Sequence, residues 1–327
     1  MNTRNFFSNA ALAIALVCCM LASAVAQEMK GDQIARVQKH SQPAGSTFSV
    51  DCNKKGSINE QLALLAKTGR NSNVTIVVSG TCREDVLIQG FDRLTLLANL
   101  RAAIEDPSGG VGITVDIEDS RSVTLQGFAV TGGAYGVVCG SMSVCYLSGN
   151  TIQSALYDGV LVSAASNAVL DSNVMQNNLA AGMRVNVNSS ANSNYDIFQG
   201  NAFAGMAANQ GYILAYASMV RNNGSDGSPG VNVINHSTVR LVSATISGNG
   251  GNGVNVRGGS EATFEDSSST GNAGFGVRVG DLSFALFSES NVTGNLGGTD
   301  VACRPQYPAT RGALTDIGGG LTDCVEP

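Results

Sequence analysis

Gly136, Gly159 and Gly182 stand twenty-three residues apart, and the same interval separates Gly230, Gly253 and Gly276. Each opens a short apolar strand, as in Gly159-Val-Leu-Val162, Gly230-Val-Asn-Val233, Gly253-Val-Asn-Val256 and Gly276-Val-Arg-Val279. Read this way, the series begins at Gly112-Ile-Thr-Val115, passes through Gly205-Met-Ala-Ala208 and ends in a degenerate copy, Asp300-Val-Ala-Cys303. A fixed period of this size marks a repeat architecture, in which each unit buries its apolar face only against its neighbours.

Within a repeat, the first and third residues after the glycine are apolar and the second varies, the period-two pattern of a strand with one face inward. A second strand is marked by Leu147, Leu170, Leu241, Phe264 and Phe287, and a third by Ile152, Met175, Ile246 and Val292. Asn178, Asn201, Asn249, Asn272 and Asn295 return at one turn position, where stacked amides can hydrogen-bond as a ladder. Three short strands and three turns, with no room for a helix, describe one coil of a parallel β-solenoid. A leucine-rich repeat lacks its Leu-x-x-Leu-x-Leu core here, and propeller blades need about forty residues each. The repeat region is assigned to residues 111–302, and about 8–10 coils at ~4.8 Å each give a rod some 40–50 Å long.

Residues 1–26 read as a cleavable signal peptide: Arg4, an apolar run from Ala10 to Met20, and Ala24-Val-Ala26 before Gln27. That run is too short for a membrane span, so a secreted or periplasmic chain is expected. Residues 27–48 are polar and without period, and are assigned to a flexible leader. Residues 49–110 form an N-terminal cap and the first coils. There Ser57-Ile-Asn-Glu60 has the spacing of a capping box, and Ile58, Leu62, Leu65 and Ala66 share one helical face. A short amphipathic helix here suits a lid over the open end of a stacked core. After Asp300 the register stops, and residues 303–327, with Pro305 and Pro308, form a terminal tail.

Six cysteines follow the leader, and an even count in an exported chain reads as disulfides. The sequence-local pairing is Cys52–Cys82, Cys139–Cys145 and Cys303–Cys324, the last closing the tail over the final coil. No Cys-x-x-Cys pair is present and His40 and His236 are isolated, so no metal site is expected. The formal net charge is −6, the last lysine is Lys67 and tryptophan is absent. A chain without a basic stripe is a poor candidate for nucleic-acid binding.

The Gly-Val-x-Val strands, the Gly-Asn turns and the segment Ile76-Val-Val-Ser-Gly80-Thr-Cys82-Arg-Glu-Asp-Val86 resemble the right-handed parallel β-helix proteins of the pectate-lyase-like superfamily, and specifically its uncharacterised exported bacterial members. The resemblance covers about residues 49–303 and implies a three-sheet, right-handed, all-β solenoid. It implies no single activity, because that superfamily holds lyases, hydrolases, esterases, epimerases and non-catalytic adhesins. The signature segments of polygalacturonases, pectin esterases and pectate lyases are missing; His236 sits in Asn235-His236-Ser237, and Pro308-Ala-Thr-Arg311 lacks its first arginine.

Two sets of polar positions remain as candidates. Asn232, Asn255 and Arg278 share an outward position, with Arg257 two residues past Asn255. Such a strip could follow the carboxylates of a polysaccharide or another cell-envelope polymer; the competing reading is an ordinary solvated face. Asp266 and Glu289 share another position, where two carboxylates could raise a pKa or hold calcium, or simply splay into water. Together with Arg257 and Arg278 they are the weak catalytic candidates for a uronate-polymer lyase, hydrolase or epimerase. Asp158 and Arg184 read as a surface ion pair, and Tyr135, Tyr157 and Phe275 as turn packing or sugar-stacking groups. A polymer-binding protein without an evident active site is the leading expectation, and a structural shaft is the third class.

Overall fold

The computed structural model describes residues 45–68 and 72–304, so the expected signal peptide, most of the leader and the Cys324 half of the tail lie outside the described residues. From Val74 onward the chain visits three sheets in strict rotation, building among the described residues one sheet of eleven strands and two of ten. β1 (Ser46–Asp51) and β2 (Val74–Ser79) open sheet 1, β3 (Thr81–Arg83) opens sheet 2, and β4 (Val86–Gln89) opens sheet 3. All pairing is parallel and without slippage: Val231 meets Val254, which meets Val277, and Asn232 meets Asn255, which meets Arg278. About ten coils result. Among the described residues no helix is long and apolar enough to cross a membrane.

The register places like residues in columns. Sheet 1 lines the core with Leu147, Leu170, Leu241, Phe264 and Phe287, and sheet 2 with Ile152, Met175, Phe198, Val220, Ile246 and Val292, all buried. Volume is balanced within a coil. Phe198 on sheet 2 faces a coil whose sheet 1 strand contributes only Ala191 and Ser193, and Phe264 on sheet 1 shares its coil with Ser269 on sheet 2. Cores tolerate such exchange when total volume is kept. The first column needs one correction. Tyr135 pairs with Ile113 and Val137 with Val115, so Thr114, not Gly112, occupies the repeat-glycine position of that coil.

Each corner satisfies backbone groups that no strand reaches. At the corner from sheet 2 to sheet 3, Asn178 donates to Asn201, Asn201 to Asn223, Asn223 to Asn249, Asn249 to Asn272, Asn272 to Asn295 and Asn295 to Asp300, at 2.8–3.1 Å. The expected ladder is present, with Asn223 as an added rung; a one-residue shortening between Asn209 and Tyr212 places it twenty-two residues after Asn201, and the insertion after it places Asn249 twenty-six further on. The repeat glycines sit against this ladder: a Cβ on Gly159 would meet the Gly182 carbonyl oxygen at 2.7 Å and the Asn178 amide nitrogen at 2.6 Å. At the corner from sheet 3 to sheet 1, serine hydroxyls stack, Ser120 N donating to Ser143 Oγ and Ser143 N to Ser166 Oγ, both at 3.1 Å.

The N-terminal end is closed by α1 (Ile58–Thr68), whose Ile58, Leu62 and Leu65 are buried. Ser57 Oγ accepts from Glu60 N at 3.2 Å, as the capping box predicts. The other free amides go elsewhere: Glu84, from the turn before β4, accepts from Ile58 N at 2.6 Å and Asn59 N at 3.1 Å. The Asn59 side chain then bridges the exposed edge of sheet 3, accepting from Leu87 N and donating to Asp85 O. Residues 46–48, assigned above to the leader, instead belong to β1, which pairs along its length with β2. Cys52–Cys82 fastens this cap to β3 with Cα atoms 5.1 Å apart, and Cys139–Cys145 spans the sheet 3 to sheet 1 corner at 6.2 Å.

Candidate functional site

The outer face of sheet 3 gathers most of the chemistry. Asn232, Asn255 and Arg278 share one outward column, as expected from their spacing. The two asparagines lie lower than a solvated strip would, only 6% and 7% exposed, and Asn255 Nδ2 donates to Asn232 Oδ1 at 3.0 Å. Arg278 is half-buried and Arg257 exposed. The column continues through Ala207, which joins Ala181, Ala204 and Phe203 in a small apolar cluster on the outside of the sheet.

Asp266 and Glu289 do share a coil position, because Glu265 pairs with Ser288. Both are exposed and both adopt left-handed backbone angles at the sheet 1 to sheet 2 corner. The strand Glu261–Glu265 separates them from Arg257, a distance of roughly 16 Å for five extended residues. Arg257 and Arg278 therefore lie on strands of sheet 3 and Asp266 and Glu289 at the sheet 1 to sheet 2 corner, and the four do not converge.

The expected surface pair of Asp158 and Arg184 is a buried one. Asp158 is 3% exposed. Arg184 donates to it from Nε at 2.8 Å and Nη2 at 3.0 Å, and Ala181 N adds a third bond to the same carboxylate at 2.9 Å. Around this pair the aromatic rings collect: Tyr135 and Tyr157 have centroids 5.4 Å apart, and the Arg184 guanidinium lies 5.7 Å from the Phe203 ring centre. Burial, followed by the Asp158 charge, pushes the Tyr135 hydroxyl up. Tyr157 packs against Tyr135 on one side and keeps 55% of its surface exposed. Phe275 precedes its own glycine, Gly276, and its backbone N donates to Asn252 Oδ1 at 2.9 Å.

Two further clusters lie outside the columns read from the sequence. Asp116 and Glu118 point outward from one strand at the N-terminal end of sheet 3. Burial, reinforced by Glu118, raises the Asp116 carboxyl to about 6, and its buried Oδ1 has no hydrogen-bond partner. On the outer face of sheet 2, Gln176 donates to Gln153 and Gln199 to Gln176, each at 2.9 Å, and Arg221 closes the rail on Gln199 at 2.8 Å. The twenty-three-residue spacing of these glutamines was the signal that could have found them. Among the described residues, Cys52, Cys82 and Glu84 bring potential metal ligands within 4.8 Å. The two sulfurs are bonded to each other and Glu84 caps α1, so none of the three is available.

The family model described as a right-handed β-helix region matches residues 68–223 and 208–308. No curated protein matches the sequence. Among solved structures, the A-module of the Azotobacter vinelandii mannuronan C-5 epimerase AlgE4 is similar at 15% identity, covering 86% of this chain and 88% of that one with a TM-score of 0.56. Pectate lyase Pel9A is similar at 12% identity, 87% and 80% coverage and a TM-score of 0.52. The alginate lyase from Paenibacillus sp. str. FPU-7 is similar at 13% identity, 83% and 99% coverage and a TM-score of 0.51.

Proposed function

The chain belongs to the right-handed β-helix family, and from that premise we propose that it binds an anionic polysaccharide laid lengthwise along the outer face of sheet 3. The observation that carries this reading is the run of donors at the C-terminal half of that face. Arg278 and Arg257 stand on adjacent strands with Asn232 and Asn255 beside them; Asp281 lies three residues past Arg278, and among the described residues neither guanidinium is within 4 Å of a carboxylate. Guanidinium groups pair carboxylates bidentately, and uncommitted ones attract polyuronates. The alginate- and pectate-directed names of the similar structures support a carbohydrate ligand. Export through residues 1–26 belongs to the same proposal and is supported by the two disulfides.

The test is retention of the full chain on immobilised alginate and polygalacturonate against a neutral glucan. Arg257→Ala with Arg278→Ala should abolish retention on the acidic polymers; equal retention of the variant, or none by the parent, rejects the reading. A catalytic reading rests on Asp116, whose carboxyl is raised by burial to about 6 and which lies about 7 Å along the strand from Glu118. Release of unsaturated or reducing ends that disappears in Asp116→Asn would establish it. Assembly of the purified chain into trimers or fibres would instead favour the shaft.

A further inference from the structure

Resting on that reading, we infer that the sheet 3 face has a fixed footprint, a ring-stacking end at Tyr157 and a carboxylate-pairing end at Arg278. The site therefore takes oligouronides of about six sugars and discriminates sharply against shorter ones. Tyr157 precedes Gly159 and Arg278 follows Gly276, five coil steps later through Gly182, Gly205, Gly230 and Gly253. At ~4.8 Å per step this is about 24 Å along the axis. Tyr157 lies two residues before its glycine and Arg278 two after its own, an offset of up to about 13 Å across the sheet, so the two are about 24–27 Å apart, some six linked pyranoses at roughly one per coil.

Both ends are built differently. At the Tyr157 end the Arg184 charge is already matched by Asp158 at 2.8 Å, so the local offering is an exposed ring beside Tyr135 rather than a free cation. A pyranose presents an apolar C–H face to such a ring. At the other end Arg257 and Arg278 supply charge, with the half-buried Phe275 three residues before Arg278. Beyond Tyr135 the face turns acidic at Asp116 and Glu118, which repel a polyanion and close the footprint on that side. The polymer is thereby bound in one direction, since its two ends meet different chemistry.

Calorimetry of the full chain with oligogalacturonates and oligomannuronates of two to ten units tests this. The expected result is weak binding up to four units, a step of about tenfold or more between four and six, and a plateau beyond. Tyr157→Ala should remove the step, with the loss falling on hexamers, and Tyr157→Phe should restore it. Dimers that bind as tightly as hexamers, or affinity that keeps climbing per unit past eight, would overturn the footprint while leaving the polysaccharide reading intact. Absence of binding at every length, polymer included, would overturn both.

Discussion

Two corners of the same coil meet the same demand, to satisfy buried backbone groups, with ladders that behave differently. At the sheet 2 to sheet 3 corner, amides run unbroken from Asn178 to Asn295 and end on Asp300, at the last coil. At the sheet 1 to sheet 2 corner, Asn150 donates to Asn173 and Asn173 to Asp196, and there the ladder stops, mid-rod. An amide both donates and accepts, so it passes the pattern on; a carboxylate only accepts, so it terminates it. Termination is harmless at an end. In the middle it leaves a carboxylate that is 1% exposed, faced only by neutral donors, Asn173 at 2.7 and 2.9 Å and Ser193 Oγ at 2.7 Å. Burial outweighs those bonds and raises Asp196 to about 6.

Breaking the complete ladder should have the largest effect. Asn201 accepts from Asn178 N and Nδ2 and donates to Met175 O and Asn223 Oδ1. Asn201→Ala leaves Asn178 N and Nδ2 without their acceptor, removes the side-chain donor to Met175 O, and leaves Asn223 Oδ1 only the bond from the residue 201 backbone N, and should cost about 3–5 kcal/mol in urea titration. Converting the good ladder into the bad one is the next step down. Asn249→Asp should cost about 2–3 kcal/mol at pH 8 and much less at pH 4, where the new acid carries its proton.

Repairing the broken ladder runs the other way. Because Asp196 binds its proton more tightly folded than unfolded, the native protein should lose about 2–3 kcal/mol as pH rises from about 4 through about 6, and change little above. Asp196→Asn should remove that part of the slope and stabilise the neutral protein. The new amide has an acceptor in Ser193 Oγ, which can turn its own proton to Ser218 Oγ at 3.1 Å. Stability measured from pH 4 to 8 that is parallel for the two proteins would contradict the buried-charge account.

The contrast also shows what periodicity can and cannot reveal. The strands, the glycine column and five of the asparagine rungs were legible because each recurs in a fixed frame. Asn223 was not, since a one-residue shortening before it and an insertion after it break the frame on both sides, and the loop at Asp106–Gly112 displaced the first coil by two residues. Glu84 caps a helix twenty-six residues before it, a contact no local motif encodes. The outward column of the candidate site was legible as a column. Its depth was not, because burial of Asn232, Asn255 and Asp158 depends on what neighbouring corners place above the sheet.

The third corner, from sheet 3 to sheet 1, shows the same theme at smaller scale, with backbone strain in place of charge. The fifth residue after each repeat glycine there takes a positive φ in most coils, and Ser141, Asn235, Gly258 and Asp281 tolerate it well. Val187 occupies that position at φ +53°, with its side chain 53% exposed. A β-branched residue clashes with its own backbone in this region, and little packing offsets the strain. Val187→Asn keeps the backbone bonds, from Val187 N to Asn209 O and from Ala165 N to Val187 O, and should raise stability by about 1 kcal/mol. The gain should be the same at pH 4 and pH 8, unlike that of Asp196→Asn, which separates a strained corner from a charged one.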